Sequence, residues 1–310
     1  MLSILITGAK GFVGKNLRLG LHDEKEFHIT SLSHEDLDLT DENQVRNYFQ
    51  THSFDYVIDT TVAGYVRPLG HETNDSILLD RNLRMFFNVV SNLHADTKLI
   101  YFGSGAEYDK RYPIQKVKEN SSGKTIPADG YGLAKYIMSK YAENNPNITC
   151  LRIFGLYGPH EDYAYKFISN SIVKTLFKLP IIIHQNVIFD YLYIADLIVI
   201  IKQLIKHWPD HRVMNVTPTE SIDLITVSKI IQQVTDSKSD IRILNDGLNK
   251  EYTGDNQKLL QEISPFSFTS YYDGIVSLTE FYQAKIHELD ENLVRNDNYL
   301  KYTAIRNLRK

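Results

Sequence analysis

Tyr131 and Lys135 stand four residues apart in "YGLAK", a spacing that puts both on one face of a helix. A phenol titrates at about pH 10 and carries protons poorly at neutral pH. An ammonium beside it favours the phenolate and draws that value toward the working range. Such a pair can pass a proton to or from a hydroxyl or carbonyl oxygen. Taken alone, Tyr-x-x-x-Lys is common by chance, and a surface tyrosine with a surface lysine is its ordinary reading. Ser104 precedes the pair at the tip of the apolar run "KLIYFGS". A serine there serves as a nucleophile, as a hydrogen-bond donor to a reacting carbonyl, or as a turn residue. The nucleophile needs a histidine base and a strand-to-helix elbow, and "GSGAEY" offers neither. Gly8, Gly11 and Gly14 lie in "ILITGAKGFVGKNL", between an apolar run and an amphipathic one. Glycines at such a junction let the backbone turn tightly and approach a pyrophosphate at the positive end of a helix.

These residues need a frame, and the alternation of runs supplies one. "LSILIT", "FHITSLS", "DYVIDTT", "KLIYFG" and "ITCLRIF" read as strands. Helical stretches separate them: Phe12 to His22, a helix capped by Asp41, Thr73 to His94, and "YGLAKYIMSKYAEN". In the third of these, Leu79, Leu83, Phe86, Phe87 and Val90 share a face. Strands alternating with helices build β-α-β units and a parallel sheet. Continuous rather than alternating apolar strands fit a sheet buried on both faces. The expected fold class is α/β, a Rossmann-type parallel sheet with helices on both faces plus a smaller C-terminal substrate domain. The expected division gives residues 1–156, with a returning segment 187–207, to the dinucleotide-binding domain. Residues 157–186 and 208–310 form the smaller one. The C-terminal stretch "ENLVRNDNYLKYTAIRNLRK" reads as a loosely docked helix or a frayed tail.

Composition excludes several classes. A formal charge of −4 over 310 residues gives no electrostatic footprint for nucleic acid. No apolar run reaches bilayer length, and the N-terminus lacks the pattern of a secretory signal, so neither membrane nor export is expected. The single cysteine, Cys150, leaves no internal disulfide and no multi-cysteine metal site. It reads as a buried structural thiol, and the compartment is most simply the cytoplasm.

With "TGAKGFVG", Ser104 and "YGLAK" in that order, the sequence resembles the short-chain dehydrogenase/reductase superfamily. Within it, the likeness is to the extended, nucleotide-sugar-modifying branch, the NAD-dependent epimerase/dehydratase family. The resemblance implies that Ser104 orients the carbonyl, Tyr131 is the acid-base and Lys135 holds the nicotinamide ribose. It implies a cofactor site of Gly8, Lys10, Gly11, Phe12, Val13 and Gly14, with Ser33, His34, Asp38, Leu39, Thr60, Thr61, Tyr131 and Lys135. Asn82 matches an asparagine the family keeps for a structural or proton-relay role; a plain helix-face asparagine is an equal reading. A homodimer through the long helix and the Tyr131 helix is implied as well.

Three departures narrow the chemistry. A dinucleotide site for NAD places an acid after the second strand to bind the ribose 2′-hydroxyl. Here Ser33 and His34 stand there, with Lys10 in the glycine turn, so NADP(H) is preferred to NAD(H). The branch's 4,6-dehydratases resemble Thr-Asp-Glu at the serine, and its GDP-fucose synthases place a cysteine two residues after it. Gly105 and Ala106 occupy those positions, and His160 falls too early to be the synthases' histidine. Last, Gly155 stands where the family often has an asparagine on the substrate diphosphate, and Phe189 stands where it has an arginine, while Asp190 and Asp196 are kept. A ring offers no bidentate fork to a phosphate. Ala106, Gly155 and Phe189 are thus the expected substrate-side positions, with Lys166, Lys174, Arg212, Arg306 and Arg309 as substitute cations. The leading expectation is an NADP(H)-dependent oxidoreductase that reduces a nucleotide-linked keto-sugar in sugar or surface-polysaccharide biosynthesis. An NAD-dependent nucleotide-sugar 4-epimerase and a non-catalytic dinucleotide sensor are the alternatives.

Overall fold

The first strand, β1 (Leu2–Thr7), is apolar almost throughout and its last four residues are buried. It runs into α1 (Phe12–Leu21) and β2 (Phe27–Leu32), and then into α2 (Glu42–Thr51), where the Asp41 carboxylate accepts from the N–H groups of Asn43 and Gln44. β3 (Tyr56–Asp59), α3 (Asp75–Val90), β4 (Lys98–Ser104), β5 (Ile114–Val117), α4 (Gly130–Glu143) and β6 (Ile148–Ile153) follow. The computed structural model describes residues 1–64, 75–297 and 299–300. The expected helix start at Thr73, and Arg306 and Arg309, lie outside the described residues.

The C-terminal half adds β7 (Gly155–Tyr157), α5 (Phe167–Leu176), β8 (Ile181–Asn186), β9 (Ile188–Phe189), β10 (Tyr191–Tyr193) and α6 (Ile194–Lys206). It continues through β11 (Val213–Val216), β12 (Ile222–Asp223), α7 (Leu224–Val234), β13 (Ile241–Leu248) and β14 (Tyr252–Gly254). It ends with α8 (Gln257–Ile263), α9 (Tyr271–Ala284) and α10 (Glu291–Arg295).

Among the described residues, six strands form one sheet in the order β11-β6-β4-β3-β1-β2, every pair parallel. The chain leaves β1 toward β2 on one side and returns to β3 on the other. The C-terminal ends of β1 and β3 therefore flank a topological switch point, where open α/β sheets leave a crevice for a ligand. The sheet is buried on both faces. Leu17 and Leu21 of α1 and Leu197 and Leu204 of α6 cover one side. Val45 and Phe49 of α2, Phe86 and Val89 of α3, and Met138 and Ala142 of α4 cover the other. On α3 the fully buried residues are Leu78, Asn82, Phe86 and Val89, while Leu79, Leu83, Phe87 and Val90 are half-buried beside them.

The smaller lobe carries a four-stranded sheet, β12-β9-β14-β5, and two two-stranded sheets, β10-β7 and β13-β8. The expected boundary at residue 207 is corrected by β11, which pairs with β6 as the edge of the main sheet. Its four residues, "VMNV", are all buried, which is what an edge strand covered on both faces requires. No helix of the described residues is long and apolar enough to cross a membrane.

Candidate functional site

The glycine turn sits at the switch point. Gly8 has φ +70, a left-handed conformation that favours glycine, and its carbonyl accepts from the N–H of Gly11 at 2.9 Å. A Cβ on Gly14 would lie 2.4 Å from that carbonyl oxygen, so the turn closes only around bare glycine. Gly11 caps α1 without a side-chain acceptor, leaving the helix start with no acceptor of its own for its N–H groups. Phe12 and Val13 form the first turn of α1. Opposite, the Thr60 hydroxyl donates to the Thr7 carbonyl at 2.6 Å, and Asp59 accepts from the hydroxyls of Thr7 and Thr61 at 2.7 and 2.6 Å. A glycine-lined helix start with no acceptor of its own is a cradle that suits a pyrophosphate.

The corner after β2 carries both signs of charge. Lys10 makes an exposed ion pair with Glu35, which raises the lysine's pKa and lowers the carboxylate's through the hydrogen bond they share. Asp36 accepts from the N–H and hydroxyl of Ser33 at 2.8 and 2.7 Å. The acids that fall one and two residues after His34 thus fold back onto this corner. Asp38 accepts from the Thr40 N–H and hydroxyl, and Leu39 is buried with its carbonyl held by Asn88 at 2.9 Å.

Ser104 ends β4 and is buried at 8% exposure. Its Oγ accepts from the Ala106 N–H at 3.1 Å, and its own N–H donates to Glu107 at 3.0 Å, the reciprocal pattern of a capping box. Beneath it, Glu107 and Arg152 form an ion pair at 2.6 Å with both side chains wholly buried. Arg152 also donates to Tyr108, Ser122 and Ser139 at 3.0, 3.1 and 2.5 Å, so four of its five N–H donors are engaged inside the protein.

Tyr131 lies in the first turn of α4, whose N-cap Asp129 accepts from the Gly132 N–H at 2.9 Å. Lys135 is 3% exposed, its Nζ donates to the Phe102 carbonyl at 2.7 Å, and it lies 6.0 Å from the centre of the Tyr131 ring. That bond ties α4 to β4 just before Ser104. Asn82 is buried and clamps Ala63, donating to its carbonyl at 2.8 Å and accepting from its N–H at 3.1 Å. It fastens the segment after β3.

On the substrate side, Gly155 and Phe189 line one cavity of about 410 Å³, together with Lys166, His184 and Lys250. Ala106 is buried under Ser104 and is not part of that wall. A Cβ on Gly155 would lie 2.8 Å from the Asp190 carbonyl and 3.0 Å from the Tyr191 ring, so no asparagine fits there. Two of the substitute cations are spent elsewhere. Lys174 is buried in an ion pair with Asp297, and Arg212 donates to backbone carbonyls, at 2.8 Å for that of Pro146. Asp190 and Asp196 are buried anchors, raised in pKa first by burial. Asp190 accepts from Ser221 and Gly254 at 2.5 and 2.8 Å, and Asp196 from the Thr269 N–H and hydroxyl at 3.0 and 2.6 Å. Sequence reasoning missed Tyr252, whose hydroxyl lies 2.7 Å from where a Cβ on Gly105 would sit. Its only signal was an aromatic residue in a polar stretch.

Comparison with known proteins fits this arrangement. An ADP-L-glycero-D-manno-heptose-6-epimerase from Cupriavidus pinatubonensis is 27% identical over 197 residues, 57% of each chain, so the match spans little more than half of that relative's length. A GDP-6-deoxy-D-talose 4-dehydrogenase from Aggregatibacter actinomycetemcomitans is 22% identical across 93% of this chain and 99% of its own. A GDP-mannoheptose C4 reductase from Campylobacter jejuni, solved with NADP bound, shares the fold at a TM-score of 0.78 and 17% identity, covering 91% of this chain and 98% of its own. Residues 4–217 match the family described as the NAD dependent epimerase/dehydratase family, and the chain belongs to it.

Proposed function

We propose that the protein reduces the ketone of a nucleotide-linked sugar with NADP(H). The observation that carries this reading is the surroundings of Ser104. The serine, Tyr131 and Lys135 are supported from β4 and α4, and the two residues after the serine, Gly105 and Ala106, carry no group able to move a proton. Elimination of water needs an acid and a base beyond the tyrosine. Net reduction needs only a hydride and one proton.

The nicotinamide supplies the hydride when bound. Tyr131 gives the proton to the forming alkoxide, and the Ser104 hydroxyl donates a hydrogen bond to the same oxygen. Lys135 provides positive charge beside the phenol and takes the nicotinamide ribose. Gly8, Gly11 and Gly14, with the start of α1, take the pyrophosphate. Lys10 is the cation available to a 2′-phosphate, with Ser33 and His34 beside it. The C4 dehydrogenase and C4 reductase relatives, which act at a sugar hydroxyl or carbonyl, support the reaction type.

Glu35 favours a second reading. As an acid in the same corner it is available to a ribose 2′-hydroxyl, which suits an NAD-dependent epimerase. The half-buried stripe of Leu79, Leu83, Phe87 and Val90 on α3, next to Tyr141 of α4 at 40% exposure, supports a homodimer through these two helices.

Deuterated NADPH separates the readings. A reductase leaves one deuterium on the carbinol carbon of the product and releases NADP⁺ in equal amount. Sugar that changes configuration with no deuterium gained and no NADP⁺ released would replace reduction with epimerisation. Suitable substrates are the 4-ketone of GDP-6-deoxytalose for the reduction and GDP-6-deoxytalose itself, the sugar named for one relative, for the epimerisation.

A further inference from the structure

Arg152 and Glu107 are buried charges that the proton and hydride steps do not use. Both side chains are fully enclosed, and an enclosed ion pair adds little stability over apolar side chains of the same size. Their placement gives another reason for them. Arg152 stands opposite Gly103 in the β4–β6 register and opposite Asn215 in the β6–β11 register. A Cβ on Gly103 would lie 2.5 Å from Glu107 Oε1 and 3.2 Å from Arg152 Cγ, so the end of β4 admits the pair only with a glycine there.

The guanidinium reaches two elements of the site at once. Its Nε donates to Glu107 Oε2 at 2.6 Å, and Glu107 Oε1 accepts from the Ser104 N–H at 3.0 Å. One Nη donates to the buried Ser139 hydroxyl at 2.5 Å and lies 3.8 Å from Glu143. Tyr131, Lys135, Ser139 and Glu143 follow one another at intervals of four along one face of α4. The other Nη donates to the Tyr108 hydroxyl at 3.0 Å, which donates in turn to Asn215 Oδ1 at 2.6 Å. The guanidinium plane is thus held from the turn after β4, from α4 and from β11. A planar fork can bridge such partners in fixed directions, which a lysine ammonium on its flexible stem does not.

We propose that Arg152 is a positioning residue for the active site: through Glu107 and Ser139 it sets the separation between Ser104 and the helix face that carries Tyr131 and Lys135. The Ser104 hydroxyl and the Tyr131 phenol must meet the same carbonyl oxygen, so an error in that separation falls on turnover. The inference rests on the reductive reading for its kinetic consequence but not for the bridge itself.

Arg152→Lys and Ser139→Ala test it, with NADPH and a GDP-linked 6-deoxy-4-ketohexose as the probe. The first keeps a positive charge beside Glu107 and loses the fork. The second keeps the ion pair and loses only the tie to α4. Each is expected to lower kcat about tenfold with KM unchanged, because a small misplacement of the reacting groups is felt in the transition state. In the Ser104→Ala background each should lower kcat by no more than about threefold, since the group to be aligned is gone. An unchanged kcat in the folded single variants, or an equal fall in both backgrounds, overturns the proposal. If Arg152→Lys does not fold, Ser139→Ala decides alone. Melting temperatures of the wild type, Glu107→Gln, Ser139→Ala and the double variant need no substrate. Glu107→Gln keeps an acceptor for the Ser104 N–H and frees Arg152 on that side. Ser139→Ala should then cost less in the Glu107→Gln background than in the wild type, and equal costs overturn the bridge. A wild type inert toward the probe would count against the reductive reading, and the melting cycle would still decide the inference.

Discussion

Ser104, Tyr131 and Lys135 are held by three different means. The serine is fixed through the backbone turn that follows it, the tyrosine by the first turn of a capped helix, and the lysine by a carbonyl of β4. Removing the Tyr131 hydroxyl should therefore leave the frame untouched. Tyr131→Phe is expected to lower turnover by roughly 100-fold or more, while NADPH affinity in a fluorescence titration stays at the wild-type value. Cys150 gives the opposite kind of expectation. It is fully buried in β6, and burial pushes its thiol up to about 12. A thiolate is the reactive form, so a disulfide reagent at neutral pH should find no thiol in the native protein and one after unfolding. At this scale the sequence was informative. The glycine turn, the serine and the tyrosine–lysine pair all stood in short local patterns. Tyr252 did not, because its place beside Gly105 depends on a strand pairing that no local pattern announces.

At the scale of elements, the turn after β4 stands on a buried ion pair. Glu107 holds the Ser104 N–H with one oxygen and Arg152 with the other. Arg152→Met would leave the carboxylate buried without its partner, and a denaturation midpoint should report a loss of about 3–5 kcal/mol. The cap of α4 is a milder case. Asp129→Ala should cost about 1 kcal/mol and lower kcat, because the turn it closes carries Tyr131. The main strands and the helices between them were legible from apolar runs and from caps such as Asp41. β5, β13 and β14 were not. β13 is exposed over nearly its whole length, and β5 and β14 are short and rich in polar residues, so no apolar run marks them. The stripe expected on α3 combined two faces. Leu78, Phe86 and Val89 meet the core, and Leu79, Leu83, Phe87 and Val90 flank it. Burial on a helix follows the tertiary partner, and two adjacent apolar stripes cannot be ranked from periodicity alone.

For the whole molecule, the crossing of the chain between lobes is what sequence reading set too early. β11 returns to the main sheet after α6, so that sheet extends past residue 207. The small lobe then reaches back across it through β14, whose Tyr252 sits against Gly105. The flanking stripe on α3 and the Phe87–Tyr141 contact, at 5.4 Å between ring centres, lead to the dimer expectation. Sedimentation equilibrium should give twice the chain mass for the wild type and the chain mass for Phe87→Glu; a monomeric wild type would remove the proposed interface. The central claim is net reduction, and the direct test is the nicotinamide absorbance. On mixing the protein with NADPH and GDP-linked 6-deoxy-4-ketohexose, NADPH should be consumed in step with alcohol formed, and Tyr131→Phe should slow the loss by roughly 100-fold or more. A protein that retains NAD through gel filtration and interconverts sugar epimers with no change in total reduced nicotinamide would contradict it.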